Sequence, residues 1–180
     1  MLKRLHVWNY GGFKKRVFDF GEFTLVVGLG GTGKSSLIDA AAEAFGGREF
    51  FGPDPVMAGK YSDARKVRAD WLGGKPELAL LLDDGLPAPA GRLSGAEAML
   101  RHLDLTLAKG GKKLVLLDAI LSPLDHVHRA AALKKVAAGF KLGGGQFILT
   151  TTRGQDADEL RALGIEPAVI TLGRCLSGRR

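Results

Sequence analysis

The run Gly28-Leu29-Gly30-Gly31-Thr32-Gly33-Lys34-Ser35-Ser36 constrains the fold of this chain more than any other stretch. Before it lies Phe23-Thr24-Leu25-Val26-Val27, an apolar run that reads as a buried strand, and after it Leu37 to Phe45 has helical spacing. Strand, glycine loop and helix is the setting that the phosphate-cradling pattern G-x-x-x-x-G-K-[ST] needs. Glycines at 28, 30, 31 and 33 let successive backbone N–H groups, that of Thr32 among them, turn toward one anion. The helix N-terminus adds partial positive charge. Lys34 is then placed for β- and γ-phosphates, Ser35 for a Mg²⁺ ion, and Ser36 lies in the same first turn. A chance Lys-Ser after a glycine-rich turn does not explain why every position is filled and both flanks are correct. The stretch implies binding of a nucleoside triphosphate.

At 180 residues the chain fits one domain, or one domain with a small lobe. An apolar content of 46% suffices for a buried core. The single cysteine, Cys175, excludes an intramolecular disulfide framework and fits a reducing compartment. No apolar run approaches the roughly 20 residues that span a bilayer. Met1 to His6 enters a strand pattern directly, without the look of a signal peptide, so the expectation is a cytoplasmic protein with no membrane contact. The net charge of +7 reads either as a footprint for nucleic acid or as a basic surface that serves solubility and a polyanionic nucleotide. Basic residues are scattered (Lys14-Lys15-Arg16, Lys112-Lys113, Lys134-Lys135, Arg179-Arg180), and charge alone does not decide between the two.

Taken in order, Leu2 to Trp8 and Phe13 to Phe20 read as two antiparallel strands ahead of the loop strand, separated by Asn9 to Gly12. The helix after the loop stops at Gly46-Gly47. Arg48 to Asp63 reads as a loop, Ala64 to Trp71 with Glu77 to Leu82 as a hairpin, and Asp83 to Gly91 as a stiff connector. Ser94 to Leu107 is helical, Ser94 being its N-cap and Glu97 falling at the capping-box position. Lys113 to Asp118 is a continuous apolar strand closed by an acid, the mark of a strand buried on both faces of a parallel sheet. A helix His126 to Phe140, a strand Gln146 to Thr152, a short helix Asp156 to Leu163 and a strand Ala168 to Leu172 follow, with Arg174 to Arg180 as a tail. The fold class is α/β: a parallel sheet flanked by helices, with an antiparallel β-lobe. Trp8, Trp71 and most phenylalanines read as core. His126 and His128, at i and i+2, share no helix face for a metal, and His6, His102 and Cys175 show no partner spacing.

Leu114 to Asp118 resembles a Walker B strand, read as lying beside the loop strand, with Asp118 holding Mg²⁺ through its water shell. Arg92-Leu93-Ser94-Gly95-Ala96-Glu97 resembles the signature of ABC ATPases, and Ser122-Pro123-Leu124-Asp125 their D-loop. With the phosphate loop, these stand in the order and local spacing of that family, so the chain resembles an ABC-type ATPase over nearly its whole length. The opening Leu5 to Phe13, then Phe18-Asp19-Phe20-Gly21 and Lys34 to Ala40, is similar to the start of SMC/RecF-type heads. Gln146 to Thr152 resembles the RecF switch strand.

The resemblance implies one head domain over residues 1–180. Its β-lobe would lie mainly in 1–27 and 64–84, its signature helix in 93–108, and its Walker B strand to C-terminus in 113–173. It implies ATP and Mg²⁺ as cofactors and a head-to-tail homodimer, in which Ser94 and Gly95 of one copy meet the ATP held by Gly28 to Ser36 and Asp118 of the other. Asp125 would serve at the same joint. Members couple head closure to DNA in repair, recombination and chromosome organisation, so DNA and repair proteins are the expected partners. Lys14 and Lys15 are candidates for phosphate contacts of either ATP or DNA, and Arg48 and Arg65 follow the loop helix where related heads place an arginine near the nucleotide or DNA.

Several departures bear on activity. Ala119 occupies the position of the family's catalytic glutamate, which positions or activates the attacking water. Gly30 replaces a common asparagine, and no glutamine precedes Gln146 to serve as the Q-loop ligand. At the switch, Thr151 or Thr152 could hydrogen-bond a γ-phosphate but not act as a base near neutral pH. Hydrolysis is therefore expected to be slow, since losing a general base costs about 10²–10⁴-fold. Ala119 fits either a natural ATP-binding switch or an engineered replacement. The span from Ser36 to Leu93 has no room for a coiled-coil arm; the chain is either compact by nature or a head with its arms removed at Pro87 to Gly91. Rival readings are the ATPase subunit of a membrane transporter and a non-hydrolysing regulatory module.

Overall fold

A computed structural model of the chain describes residues 1–46, 66–74, 76–82, 94–108 and 113–173. The expected loop 48–63 with Arg48, Arg65, the connector 83–91, Arg92 and Leu93 of the signature, Cys175 and the tail lie outside the described residues. Five strands form a parallel sheet in the order β5-β6-β7-β3-β8: β3 (Phe23–Gly28), β5 (Glu77–Leu82), β6 (Lys113–Asp118), β7 (Gln146–Thr151) and β8 (Ala168–Leu172). Three more form an antiparallel sheet in the order β2-β1-β4: β1 (Leu2–Tyr10), β2 (Phe13–Asp19) and β4 (Lys66–Trp71). Among the described residues the helices are α1 (Lys34–Ala44), α2 (Gly95–Ala108), α3 (His126–Gly143) and α4 (Asp156–Ala162).

The continuous apolar runs become the inner strands because both faces of the parallel sheet are covered. Side chains alternate between two cores. Leu25, Val115, Leu117, Phe147 and Leu149 face α2, α3 and α4, where Leu103, Leu133 and Val136 complete the packing. Val26, Leu114, Leu116 and Ile148 face the other way, toward Leu37 and Ile38 of α1 and toward Leu5, Val7 and Phe18 of the antiparallel sheet. Ala40, Ala41 and Ala42 keep α1 slim where it is buried between the two sheets.

Three sequence expectations change. The hairpin over 64–82 is split: β4 pairs antiparallel with β1, whereas β5 pairs parallel with β6 as the edge of the other sheet. The alternating burial of Lys66 to Ala69 suits a one-sided sheet, and the apolar run Leu78 to Leu82 suits a covered one. The loop strand β3 does sit in the parallel sheet, between β7 and β8. Second, β6 is not beside β3; β7 lies between them. Third, Trp8 is only half-buried and stacks on His6 at 5.7 Å on the outer face of the antiparallel sheet. In addition, α3 continues through Gly143 before Gly144, at φ 57°, ends it.

Gln146, the first glutamine of the chain, has a structural task. It is buried at the start of β7, where Oε1 accepts from the Leu2 amide (2.7 Å) and Nε2 donates to the carbonyls of Leu2 (2.7 Å) and Gly21 (2.8 Å). It thus bolts the antiparallel sheet to the parallel one at the amino ends of the strands.

Candidate functional site

The phosphate loop leaves β3 at the carboxyl edge of the parallel sheet and enters α1. Gly28 is obligatory by contact: a Cβ there would lie 2.4 Å from Thr32 Oγ1 and 3.0 Å from the Leu172 carbonyl. Gly33, the N-cap residue, has φ 93°, and a Cβ would lie 2.8 Å from Phe13 Cζ. Thr32 is buried, and its hydroxyl donates to the Leu29 carbonyl at 2.9 Å, closing the turn internally. Gly30 and Gly31 face open space, and no side chain caps α1. The unshared N–H groups of its first turn are therefore directed at whatever the loop encloses.

Lys34 folds back over the loop, Nζ donating to the carbonyls of Gly28 (2.8 Å) and Leu29 (2.9 Å). Burial lowers its pKa, and the negative charge of Asp118 opposes that shift, so the lysine and the aspartate feel one another across the site. Ser35 is exposed and Ser36 half-buried at the start of α1.

Asp118 ends β6 and is 7% exposed. Its Oδ1 accepts the hydroxyl of Thr150 at 2.5 Å, and that same hydroxyl accepts the amide of Ala119 at 2.8 Å. Thr150, on the intervening strand β7, thereby orients both the aspartate and the residue after it. The sequence singled out Thr151 and Thr152 as switch residues instead. Thr152 is exposed, and Thr151 is buried with its hydroxyl given to Asp156. Thr150 could have been found by its even spacing with Ile148, but only pairing with β6 tells what it faces. Ala119 itself has φ 54°, left-handed backbone that alanine adopts at a cost.

Two more motifs lie at this edge, because α2 and α3, like α1, begin there and run antiparallel to the strands. Ser94 and Glu97 form the expected reciprocal cap: the Ser94 amide and hydroxyl donate to Glu97 Oε2 (2.8 and 2.9 Å), and the Glu97 amide donates to Ser94 Oγ (3.2 Å). Ser94 and Gly95 are exposed, and nothing stands within 4 Å of where a Gly95 Cβ would be. Asp125 caps α3, accepting from the amides of Val127 and His128 (both 2.9 Å) and pairing with His128 Nδ1 (2.7 Å).

Behind the turn 119–125 lies a buried group that sequence reading missed. Arg129 donates through Nε to Asp156 Oδ1 (2.9 Å), through Nη1 to the Leu121 carbonyl (2.8 Å) and through Nη2 to Thr151 (2.8 Å) as well as to Asp156 Oδ2. It joins the turn after β6, the end of β7 and the start of α4. An Arg and an Asp far apart in the chain carry no local signal of such a pair. A cavity of about 880 Å³, lined by Met1, Glu77, Lys113, Lys141 and Gln146 among others, opens at the amino ends of the strands and is separate from this site.

Ser35 and Asp118 suit Mg²⁺: a hydroxyl and one carboxylate are hard oxygen donors, and this ion takes few protein ligands beside phosphate oxygens. Among the described residues no group of three His, Cys, Asp or Glu could hold a metal by itself, and no helix is long and apolar enough to cross a membrane.

A glycine loop opening a helix, an acid-tipped strand two places along a parallel sheet and a lysine at the loop's helix start are the arrangement of the P-loop NTPase fold. Comparison with known proteins narrows the fold. Residues 2–49 match the family described as the P-loop containing region of AAA domain. No curated protein matches the chain in sequence. Among solved structures, an SMC head bound to the C-winged helix domain of ScpA has a TM-score of 0.58 at 17% identity, covering 94% of this chain and 93% of that one. The SMC head domain from Thermotoga maritima gives 0.55 at 18% identity, covering 90% and 91%. The chain thus has the P-loop fold of SMC heads, with the antiparallel sheet in place.

Proposed function

We infer that this chain is an ATP-binding head that pairs head-to-tail with a second copy around two ATP–Mg²⁺, acts in DNA repair, recombination or chromosome maintenance, and turns ATP over slowly. The observation that carries the reading is the shared edge. The phosphate loop with Lys34 and Asp118, the exposed Ser94-Gly95 tip of α2 and the Asp125 turn all lie at the carboxyl end of one sheet. Leu29 beside the loop and Val127 beside Asp125 are about 60% exposed apolar residues on this edge, a surface that a partner copy would cover.

In this reading the α1 amides and Lys34 bind the β- and γ-phosphates, Lys34 exchanging its two carbonyl acceptors for phosphate oxygens. Ser35 and Asp118 hold Mg²⁺, which when bound neutralises phosphate charge. Thr150 keeps Asp118 aimed at the site. The Ser94 hydroxyl and the Gly95 amide of the second copy approach the γ-phosphate, a role open to them because both are exposed at a helix start. No carboxylate follows Asp118 to take a proton from water, so ATP acts chiefly as glue between copies. The sequence resemblance to SMC/RecF-type heads is what ties this reading to DNA, and an SMC head bound to the C-winged helix domain of ScpA supports a protein partner.

Size-exclusion chromatography with light scattering tests the pairing. A monomer that becomes a dimer on adding ATP–Mg²⁺, with Lys34→Ala and Ser94→Arg remaining monomeric, is the expected result. A wild-type chain that binds ATP yet stays monomeric overturns it. Ala119 also favours a second reading, a regulatory module that reports ATP to a partner without turnover. That module would bind ATP and show no affinity for DNA.

A further inference from the structure

The outer face of the antiparallel sheet has a composition that the nucleotide site does not explain. Register places Trp8 of the central strand β1 directly between Lys15 of β2 and Lys66 of β4, and His6 between Val17 and Arg68. The rings of His6 and Trp8 stack at 5.7 Å with 12° between planes, forming a short aromatic ledge along β1. At the other end of the face the charges are neutralised: Arg4 pairs with Asp19 at 2.6 Å, and Asp70 takes His6 at 3.1 Å and Arg68 at 3.1 Å. Lys15 and Lys66 are exposed and have no ion-pair partner among the described residues. Val17, 48% exposed, extends the apolar ledge.

We propose that this face binds single-stranded nucleic acid, with unpaired bases stacking on the Trp8–His6 ledge and backbone phosphates held by Lys15 and Lys66. The chemistry selects this occupant. An aromatic ledge flanked on both sides by free cations offers a π-face for a base and charge for the phosphates on either side of it. An acidic peptide would use the lysines but leave the rings idle. A duplex would present phosphates but keep its bases stacked inside, out of reach of Trp8. The proposal goes beyond the ATP-driven pair, since it needs neither nucleotide nor a second copy.

The test uses the full chain without nucleotide and a fluorescein-labelled oligothymidine of about 15 residues, a length that covers one small binding face. Fluorescence anisotropy is expected to show the single strand binding more tightly than a duplex of equal length at the same salt. Trp8→Ala should weaken single-strand binding about tenfold, and Trp8→Phe should retain most of it. Lys15→Ala and Lys66→Ala should each lower the slope of log affinity against log salt by about 0.7. In a Trp71→Phe background, titration should quench the remaining Trp8 fluorescence. Duplex binding equal to or tighter than single-strand binding, an unchanged affinity in Trp8→Ala, or no Trp8 quenching overturns the proposal. Light scattering with ATP–Mg²⁺ on the same samples reads the pairing separately, so either idea can fail alone.

Discussion

Ala119, the residue after Asp118, is fixed by its backbone rather than by its side chain. Its backbone is left-handed, its amide is held by Thr150, and its carbonyl accepts the Ser122 amide at 2.8 Å to start the turn that leads to Asp125. A left-handed L-residue costs about 1–2 kcal/mol, part of which glycine would return as unfolded-state entropy. Ala119→Gly is therefore expected to stabilise the chain by about 0.5–1 kcal/mol in urea unfolding. Ala119→Glu keeps the same backbone and adds a carboxylate next to Asp118. It should raise phosphate release about 10²-fold or more over the parent, with Lys34→Ala supplying the background rate. An unchanged rate would mean that a carboxylate at position 119 is not what the proposed turnover lacks.

Among the elements, α2 and α3 begin at the functional edge with carboxylate caps. Hydrogen bonds from Ser94, first its amide and then its hydroxyl, hold the Glu97 carboxyl below the usual range. The His128 amide and then its ring do the same for Asp125. A carboxylate whose folded pKa is depressed contributes stability above its unfolded value, near 4, and loses it as pH falls through the folded value. Both helix starts should thus weaken in acid, below about pH 4. Thermal melts between pH 6 and 3 (values chosen about the carboxylate range) should show Glu97→Gln and Asp125→Asn less stable at the upper end and converging with the parent at the lower. Ser94→Ala should cost about 1 kcal/mol at neutral pH. The far ends of the two helices are joined as firmly: Leu107 packs where a Gly139 Cβ would be only 3.0 Å away, and Lys135 pairs with Asp104 at 2.7 Å.

For the molecule as a whole, two buried polar devices hold the layers in register, one at each end of the parallel sheet. Gln146 ties the antiparallel sheet on at the amino ends, and the Arg129–Asp156–Thr151 group ties the turn after β6 to β7 and α4 at the carboxyl ends. Removing one partner of a buried pair strands the other charge. Asp156→Ala should accordingly cost about 3–5 kcal/mol in denaturant unfolding. Lys135→Ala, which breaks an exposed pair, should cost no more than about 1 kcal/mol. A similar small loss for Asp156→Ala would show that water reaches Arg129 and that the group is not a brace.

The chain itself carried the phosphate loop, the acid-tipped strand, the Ser94–Glu97 cap and the extents of most elements, because each depends on neighbours a few residues away. Glycine conformation, apolar periodicity and capping act at that range. Strand order is another matter. That β7 separates β6 from β3, and that β4 and β5 part to different sheets, follows from which faces find a covering layer, a choice made between distant segments. The same holds for Thr150 against Asp118, 32 residues apart, and Arg129 against Asp156, 27 apart. Even Trp8, an apparent core residue by type, is turned outward by register alone: β1 spends one face on the core, and period two leaves positions 6 and 8 on the other.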